Sequence, residues 1–186
     1  MLIFTSMKRE LSQTIEIPEG VEIDLEGEKV IVKGSERTNE RKFNFSNLSL
    51  EKKNNEIIIG NKKASKKEKR SMNTIAAHIR NMIKGVGEEF EYKLKICFSH
   101  FPITVEVKGN EALVKNFLGE RTPRKVKIPA GAKVKVDKEI VTVTASDIET
   151  AGQAAANFEN VTRIANRDRR IFQDGIFITS KCGVDI

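Results

Sequence analysis

Hydrophobic and polar residues alternate in two matching stretches of the chain that lie 82 residues apart. In Val21–Lys33 and in Ile103–Lys115, alternating apolar residues are followed by a glycine, Gly27 or Gly109, and then by a second apolar segment. A period of two on both sides of a glycine-containing turn is typical of a β-hairpin with one buried face. Because the same pattern occurs twice, the sequence predicts an internal duplication.

The correspondence extends beyond the hairpins. Residues 48–50 match residues 134–136 in their apolar positions, and residues 56–58 match residues 139–141. A repeat of this length exceeds the roughly 20–50 residues that are typical of solenoids. The sequence therefore predicts duplicated domains and not a repeat array.

Each half also contains a segment with a helical period. In the first, apolar residues recur at spacings of three and four: Met72, Ile75, Ala76, Ile79, Met82 and Ile83. Gly85 is predicted to end this helix. The second helix is predicted to begin at the capping-box pattern Ser146–Glu149. Its inward-facing residues are then Ala151, Ala154, Ala155, Phe158 and Val161.

Together these segments predict an α+β protein with two tandem duplicated domains, each an antiparallel β-sheet packed against one α-helix. The domains are expected to comprise residues 1–86 and 87–186, since glycine and acidic residues interrupt the pattern at Gly85–Glu89. Met7 is a candidate initiator, and residues 1–6 are then an upstream extension.

Charge and cysteine content narrow the function classes. The 186 residues include 33 Lys and Arg against 26 Asp and Glu, which favours a polyanionic partner such as nucleic acid. Cys97 and Cys182 form no disulfide framework, which suggests a reducing, cytoplasmic location. No segment approaches the roughly 18 apolar residues of a membrane span, so no membrane partner is expected.

The sequence contains no recognisable catalytic, metal or cofactor site. The histidines are His78 and His100, and Cys97 with His100 makes a single C-x-x-H spacing, short of the three or four ligands of zinc. No glycine-rich phosphate-binding loop is present. The sequence therefore predicts a protein that is not an enzyme and has no catalytic residue, metal, cofactor or small-molecule substrate.

Three basic clusters are candidate RNA contacts. The first surrounds the start of the first helix and comprises Lys62, Lys63, Lys66, Lys67, Lys69 and Arg70. A solvated helix start explains it as well as RNA contact does. The second lies in a proline-containing loop and comprises Arg121, Arg124 and Lys125. Loops of this kind often carry function.

The third cluster follows the second helix and comprises Arg163, Arg167, Arg169 and Arg170. A predicted turn at Gln173–Gly175, a short apolar run and Lys181 come after it. Arginine makes bidentate contacts with phosphate and stacks on bases. Because Asp168 and Asp174 are interleaved with the arginines, the sequence predicts a folded, hydrogen-bonded loop with a defined target.

Net charge and arginine placement favour different halves of the chain. Residues 1–85 carry 17 basic and 12 acidic side chains, whereas residues 86–186 carry 16 and 14. Recognition of structured RNA depends on placed side chains more than on net charge. The second domain is therefore predicted to carry the main RNA-binding surface.

Several sequence blocks resemble a known family, ribosomal protein six of the large subunit in its archaeal and eukaryotic branch. The blocks, which span the chain from Met7, are Thr14–Gly20, Phe90–Leu94, His100–Pro102, Phe117–Glu120 and, most specifically, Ala154–Asn157 through Thr162–Ile164 to Asp168–Gly175. Only residues 1–6 depart from the expected start.

The resemblance implies two similar α+β domains and a structural role on the cytoplasmic ribosome. It implies binding of large-subunit rRNA near the sarcin–ricin loop and the stalk base, beside neighbouring ribosomal proteins and the translation-factor site. By position it implies RNA contact through the four arginines and the loop that includes Gln173 and Gly175, with the second cluster nearby. A free-standing RNA-binding adaptor of the same fold is the alternative.

Overall fold

The computed structural model describes residues 9–35, 37–45, 48–53 and 55–186. The predicted extension at residues 1–6 and the candidate initiator Met7 lie outside these ranges. The chain forms two compact units, which meet in sequence between Glu88 and Glu89. The boundary predicted from sequence lies two residues earlier.

The described residues of the first unit form six strands and one helix. They are β1 (Arg9–Glu16), β2 (Glu22–Glu26), β3 (Lys29–Lys33), β4 (Thr38–Lys42), β5 (Ser49–Lys53), β6 (Glu56–Ala64) and α1 (Lys66–Gly87). Two antiparallel three-stranded sheets have the orders β1-β6-β5 and β2-β3-β4. Helix α1 contacts strands of both sheets, and its apolar stripe, including Met72, Ile75 and Ile79, lies in their common core.

Helix α1 extends past the glycine that was predicted to end it. Gly85 is buried inside the helix, which ends at Gly87, where the N–H of Glu88 donates to the carbonyl of Lys84 at 2.8 Å. A glycine costs a helix only about 1 kcal/mol relative to alanine. Burial of the neighbouring Met82 and Val86 outweighs that cost.

The second unit repeats this plan and adds two strands. Its elements are β7 (Phe90–Cys97), β8 (Thr104–Lys108), β9 (Glu111–Lys115), a 3₁₀ turn (Phe117–Gly119), β10 (Arg124–Lys127), β11 (Lys133–Asp137), β12 (Ile140–Ala145), α2 (Ile148–Val161), β13 (Gly175–Lys181) and β14 (Val184–Asp185). The sheets have the orders β10-β9-β8 and β11-β12-β7-β13-β14. The strand β13, which pairs with β7, has no counterpart among the described residues of the first unit.

The duplicated hairpins have the same geometry in both units. β2 and β3 are joined by a two-residue loop that begins with Gly27, and β8 and β9 by one that begins with Gly109. Both glycines have a φ of +60°, a conformation that glycine adopts without a steric penalty. The predicted α+β architecture with two repeats is confirmed.

Helix α2 is capped one residue later than predicted. The N-cap is Asp147 and not Ser146, because the Asp147 carboxylate accepts the Thr150 N–H at 3.0 Å. The buried Ala151, Ala154 and Ala155 then face the sheet. These small side chains allow the helix to lie close to the strands. None of the helices in the described ranges is long and apolar enough to cross a lipid bilayer.

Candidate nucleic-acid interface

Residues 162–174 connect α2 to β13, and we call this segment the arginine loop. It begins at Thr162, which is buried. The Thr162 hydroxyl donates to the carbonyl of Glu159 at 3.2 Å and accepts the N–H of Ile176 in β13 at 2.9 Å. One side chain thus joins the end of the helix to the start of the strand and fixes the base of the loop.

Asp168 organises the middle of the arginine loop. Its carboxylate accepts three hydrogen bonds from Arg170: from the backbone N–H at 3.0 Å, from Nε at 3.1 Å and from Nη2 at 3.0 Å. These bonds, the side-chain ones first, lower the pKa of Asp168. The Asp168 carbonyl also accepts the N–H of Phe172 at 2.9 Å. The guanidinium of Arg170 is therefore held in one position, although its side chain is 90% exposed.

A stack of three planar groups supports the end of the loop. The guanidinium of Arg167 lies 4.8 Å from the centre of the Phe172 ring. Phe172 in turn stacks on His100, with 4.7 Å between ring centroids and 18° between planes. Cation–π contacts of this kind orient a guanidinium without neutralising its charge.

Asp174 connects the arginine loop to the loop between β7 and β8. Its side chain is only 1% exposed and accepts the N–H groups of Ser99 at 2.7 Å and His100 at 3.0 Å. His100 Nδ1 lies 2.6 Å from the second carboxylate oxygen and donates to it as the Nδ1–H tautomer. Burial alone would raise the pKa of Asp174, but these hydrogen bonds lower it to about 2. The carboxylate is therefore charged and fully engaged at neutral pH.

The remaining two arginines of the loop have free guanidinium groups. Arg163 and Arg169 are exposed, and within the part of the chain that the structure describes their side chains form no ion pair or hydrogen bond. Gln173 is exposed as well, and its amide N–H donates to the carbonyl of Arg170 at 3.3 Å. The structure therefore presents four cations on an ordered loop, two of them unengaged.

Gly175 does not lie in the predicted turn. It is the first residue of β13 and is buried. A Cβ atom at this position would lie 3.1 Å from Cζ of Phe177, whose ring packs over the backbone. Gly175 thus provides room for an aromatic ring beside the loop.

Arg124, from the second basic cluster, is engaged within the protein. It begins strand β10, whereas the sequence placed it in a loop. Its Nε donates to Glu120 at 2.8 Å, its Nη1 donates to the carbonyl of Val161 at 2.6 Å, and its guanidinium lies 4.3 Å from the centre of the Phe117 ring. The hydrogen bonds to Arg124 lower the pKa of Glu120.

Because Val161 is the last residue of α2, Arg124 brings the second cluster next to the arginine loop. A second hydrogen bond, from the Asn157 amide to the carbonyl of Lys127 at 2.9 Å, also joins α2 to β10. Arg121 and Lys125 are exposed on either side of Arg124.

Two predicted groups do not belong to this set of residues. Lys181 is at the far end of β13, about 20 Å from the loop by the rise of the strand. The first basic cluster belongs to the other unit, where its six exposed side chains occupy the end of β6 and the first turns of α1.

A cleft that the sequence did not predict lies beside the arginine loop. Its volume is about 730 Å³, and its lining includes Phe98, Ile171, Phe172 and Phe177. The alternation Tyr92, Leu94, Ile96 assigns Phe98 to the buried face of β7. The strand, however, ends at Cys97 and leaves the Phe98 ring 42% exposed.

The structure offers no metal centre among the residues that it describes, where no three His, Cys, Asp or Glu side chains are grouped to hold an ion. Cys97 and Cys182 are both free thiols. His78, which lies on α1, is half-buried, with its ring centroid 6.0 Å from that of Phe43.

Comparison with known proteins identifies the family to which this protein of two similar units belongs. The model of the family described as ribosomal protein L6 matches residues 17–89 and again residues 101–175, one match for each unit. The chain belongs to this family, whose members are structural, non-enzymatic ribosomal proteins.

Archaeal relatives are similar over nearly the whole chain. A protein of Methanobrevibacter smithii named large ribosomal subunit protein uL6 is 44% identical over 92% of this chain and 96% of its own length. Proteins of the same name from Methanococcus vannielii and Sulfurisphaera tokodaii are 41% and 42% identical, over 93% and 92% of this chain and 95% and 92% of their own lengths. The predicted family and its non-enzymatic nature are confirmed.

Proposed function

We propose that this chain is a structural constituent of the large ribosomal subunit in the cytoplasm and that its second unit carries the main rRNA-binding surface. The observation that carries the proposal is the arginine loop, in which internal hydrogen bonds hold the backbone while arginines project into solvent. Three independent anchors, Thr162, Asp168 and Asp174, fix its shape. Guanidinium groups that are held in fixed positions can match phosphates that a folded RNA holds in fixed positions.

Within this surface the residues take different roles. Arg163 and Arg169 contact phosphate directly, because their guanidinium groups have no partner among the described residues. Arg167 and Arg170 contact RNA with the donors that Phe172 and Asp168 leave available. Gln173 adds an amide oxygen at the same edge. Arg121, in the segment before β10, and Lys125, on β10, extend the surface, and Arg124 positions it through Val161.

The proposed target is large-subunit rRNA near the sarcin–ricin loop and the stalk base. There the protein supports the translation-factor site by holding RNA helices in fixed relation, next to other ribosomal proteins. Such binding weakens with salt, with a slope of about 0.7–0.9 in log K against log salt for each neutralised phosphate. This role requires only that cationic side chains neutralise phosphates and that they are held at the right positions.

The substitution Arg169→Glu tests the direct contact. We expect it to weaken binding of the full chain to large-subunit rRNA of Methanobrevibacter smithii by about tenfold or more, because a charged hydrogen bond contributes about 1.5–3 kcal/mol. Filter binding over a salt series measures affinity and slope. Dimethyl sulfate probing of the same complex shows whether protected nucleotides lie at the sarcin–ricin loop.

Lys135→Glu is the matched control. This exposed cation lies on the edge strand β11, which β12 and β7 separate from β13. It makes the same change in net charge away from the arginine loop. An equal loss of rRNA affinity in both variants would show that net charge alone determines binding, and it would contradict the proposed surface. Failure of the wild-type chain to sediment with the large subunit in a sucrose gradient would favour a free-standing adaptor instead.

A further inference from the structure

We propose that the cleft beside the arginine loop receives an unpaired rRNA base, whose flanking phosphates contact Arg163 and Arg169. We name this cleft the base cleft; it is bounded by the end of α2, the arginine loop, the segment after β7 and the start of β13. The inference rests on the proposed function and adds to it the kind of nucleotide that is bound.

The first argument is that three of the exposed large apolar side chains of the protein line this one cleft. Phe98 is 42% exposed, Phe177 37% and Ile171 65%. These side chains, together with Phe172, all line the base cleft. A cleft that is lined by apolar and aromatic side chains with a few polar groups is typical of a ligand site. In RNA-binding proteins, exposed aromatic rings stack on bases that have left the helix.

The second argument is the polar composition of the rim. Arg163 and Arg169 line the cleft and have no side-chain partner in the described ranges. Asn160 and Glu159 lie on the same wall. An amide offers both donors and acceptors to the edge of a base, and a carboxylate accepts from an exocyclic amine. A cleft lined by both apolar rings and two unpaired guanidinium groups fits a nucleotide, which is apolar on its faces and anionic at its phosphate.

The third argument is size and rigidity. The volume of about 730 Å³ lies within the roughly 300–1,000 Å³ of sites that bind small organic groups. Two walls are fixed by hydrogen bonds already described, since Asp174 holds the segment after β7 and Thr162 holds the start of β13. Gly175 completes the cleft by giving Phe177 space to lie against the backbone.

Stacking and phosphate contact respond differently to salt, and this difference provides the test. The Phe98→Ala variant of the full chain is expected to bind large-subunit rRNA of Methanobrevibacter smithii about tenfold more weakly, because one base–aromatic stack is of that order. The slope of log K against log salt is expected to stay unchanged, since no phosphate contact is lost. Ile171→Ala, at a side chain with 65% exposure, is expected to weaken binding in the same manner without a loss of folding.

Phe101→Ala is the matched control, because Phe101 is 47% exposed and is not part of the cleft lining. It is expected to bind as the wild type does. In dimethyl sulfate probing, Phe98→Ala is expected to lose protection at one unpaired nucleotide and to keep the other protections. Circular dichroism spectra verify that each variant is folded.

The outcomes separate the two proposals. Wild-type affinity in both Phe98→Ala and Ile171→Ala, with weakened binding in Arg169→Glu, would overturn the base cleft and leave the proposed function intact. In that case the rRNA would not occupy the cleft, and an apolar side chain of a neighbouring protein would be the alternative occupant. No binding of the wild-type chain to the rRNA would overturn the proposed function itself.

Discussion

Two aspartates of the arginine loop have similar numbers of hydrogen bonds but very different surroundings. Asp174 is buried, and its partners, Ser99 and His100, are 74 or 75 residues away in sequence. Asp168 is exposed, and its side chain bonds only within its own turn, to Arg170. A buried carboxylate contributes more to stability than an exposed one because its partners cannot be replaced by water.

Asp174→Asn is expected to lower the free energy of unfolding of the second unit by about 1–3 kcal/mol at neutral pH. The effect is expected to depend on pH. Because the pKa falls from 3.8 to about 2 on folding, the contribution of the carboxylate is complete above about pH 4 and is lost as the pH falls through 2. Urea denaturation of variant and wild type between pH 7 and pH 2 measures this difference, which should shrink toward low pH.

Asp168→Asn provides the comparison at the exposed position. Its effect on the free energy of unfolding is expected to be smaller than that of Asp174→Asn, because water screens an exposed ion pair. A loss equal to that of Asp174→Asn would show that burial does not determine the contribution of these carboxylates.

At the level of elements, the two helices begin in different ways. In α1, the Ser65 hydroxyl accepts the N–H of Lys67 at 3.2 Å, and the Glu68 carboxylate accepts the N–H of Ser65 at 2.9 Å, which makes a full capping box. In α2, the Asp147 carboxylate accepts both the N–H of Thr150 at 3.0 Å and the Thr150 hydroxyl at 2.8 Å. The first turns of α1 carry Lys66, Lys67 and Lys69, cations that are unfavourable at the positive end of a helix dipole. The capping box compensates for that unfavourable charge.

Ser65→Ala is therefore expected to lower the free energy of unfolding of the first unit by about 1 kcal/mol, the usual contribution of an N-cap side chain. Equilibrium urea unfolding at 25 °C measures the change. Ser71→Ala, an exposed position further along α1, is the control and is expected to be neutral or slightly stabilising because alanine favours the helix. Equal destabilisation by both substitutions would contradict a specific role of the cap.

The sequence predicted elements better than it predicted the site. The alternating and helical periods locate the hairpins and both helix stripes, because burial of one face imposes those periods directly. The end of α1 was wrong, because tertiary packing around Gly85 offsets a weak local preference. The engagement of Arg124 and the exposure of Phe98 were not foreseen, because both depend on the place where distant segments meet.

At the level of the whole molecule, the two units carry basic residues in different arrangements. The first basic cluster has exposed lysines, and the side chains of Lys62, Lys63, Lys66 and Lys67 have no ion-pair partner among the described residues. The arginine loop holds its cations by hydrogen bonds and stacking. Flexible lysines provide sequence-independent attraction, whereas positioned arginines discriminate between targets.

A variant with glutamine at Lys62, Lys63, Lys66 and Lys67 tests this division. We expect it to bind every RNA more weakly at low salt, with a slope of log K against log salt reduced by up to about 3. The ratio of affinities for large-subunit rRNA and an unrelated RNA is expected to stay constant. Arg169→Glu, in contrast, is expected to reduce that ratio. An unchanged slope in the glutamine variant would show that these four lysines do not contact RNA phosphates.

The anchoring of the arginine loop by Thr162, Asp168 and Asp174 also has an entropic consequence. Fixing a flexible backbone costs about 1–2 kcal/mol of conformational entropy per residue. Because the arginine loop is already ordered in the folded protein, binding of a partner does not add this cost. The contacts made by the arginines then increase the affinity with little loss to ordering, and most of that gain is a slower dissociation of the complex. Residues that never touch a partner thus determine how long the complex lives.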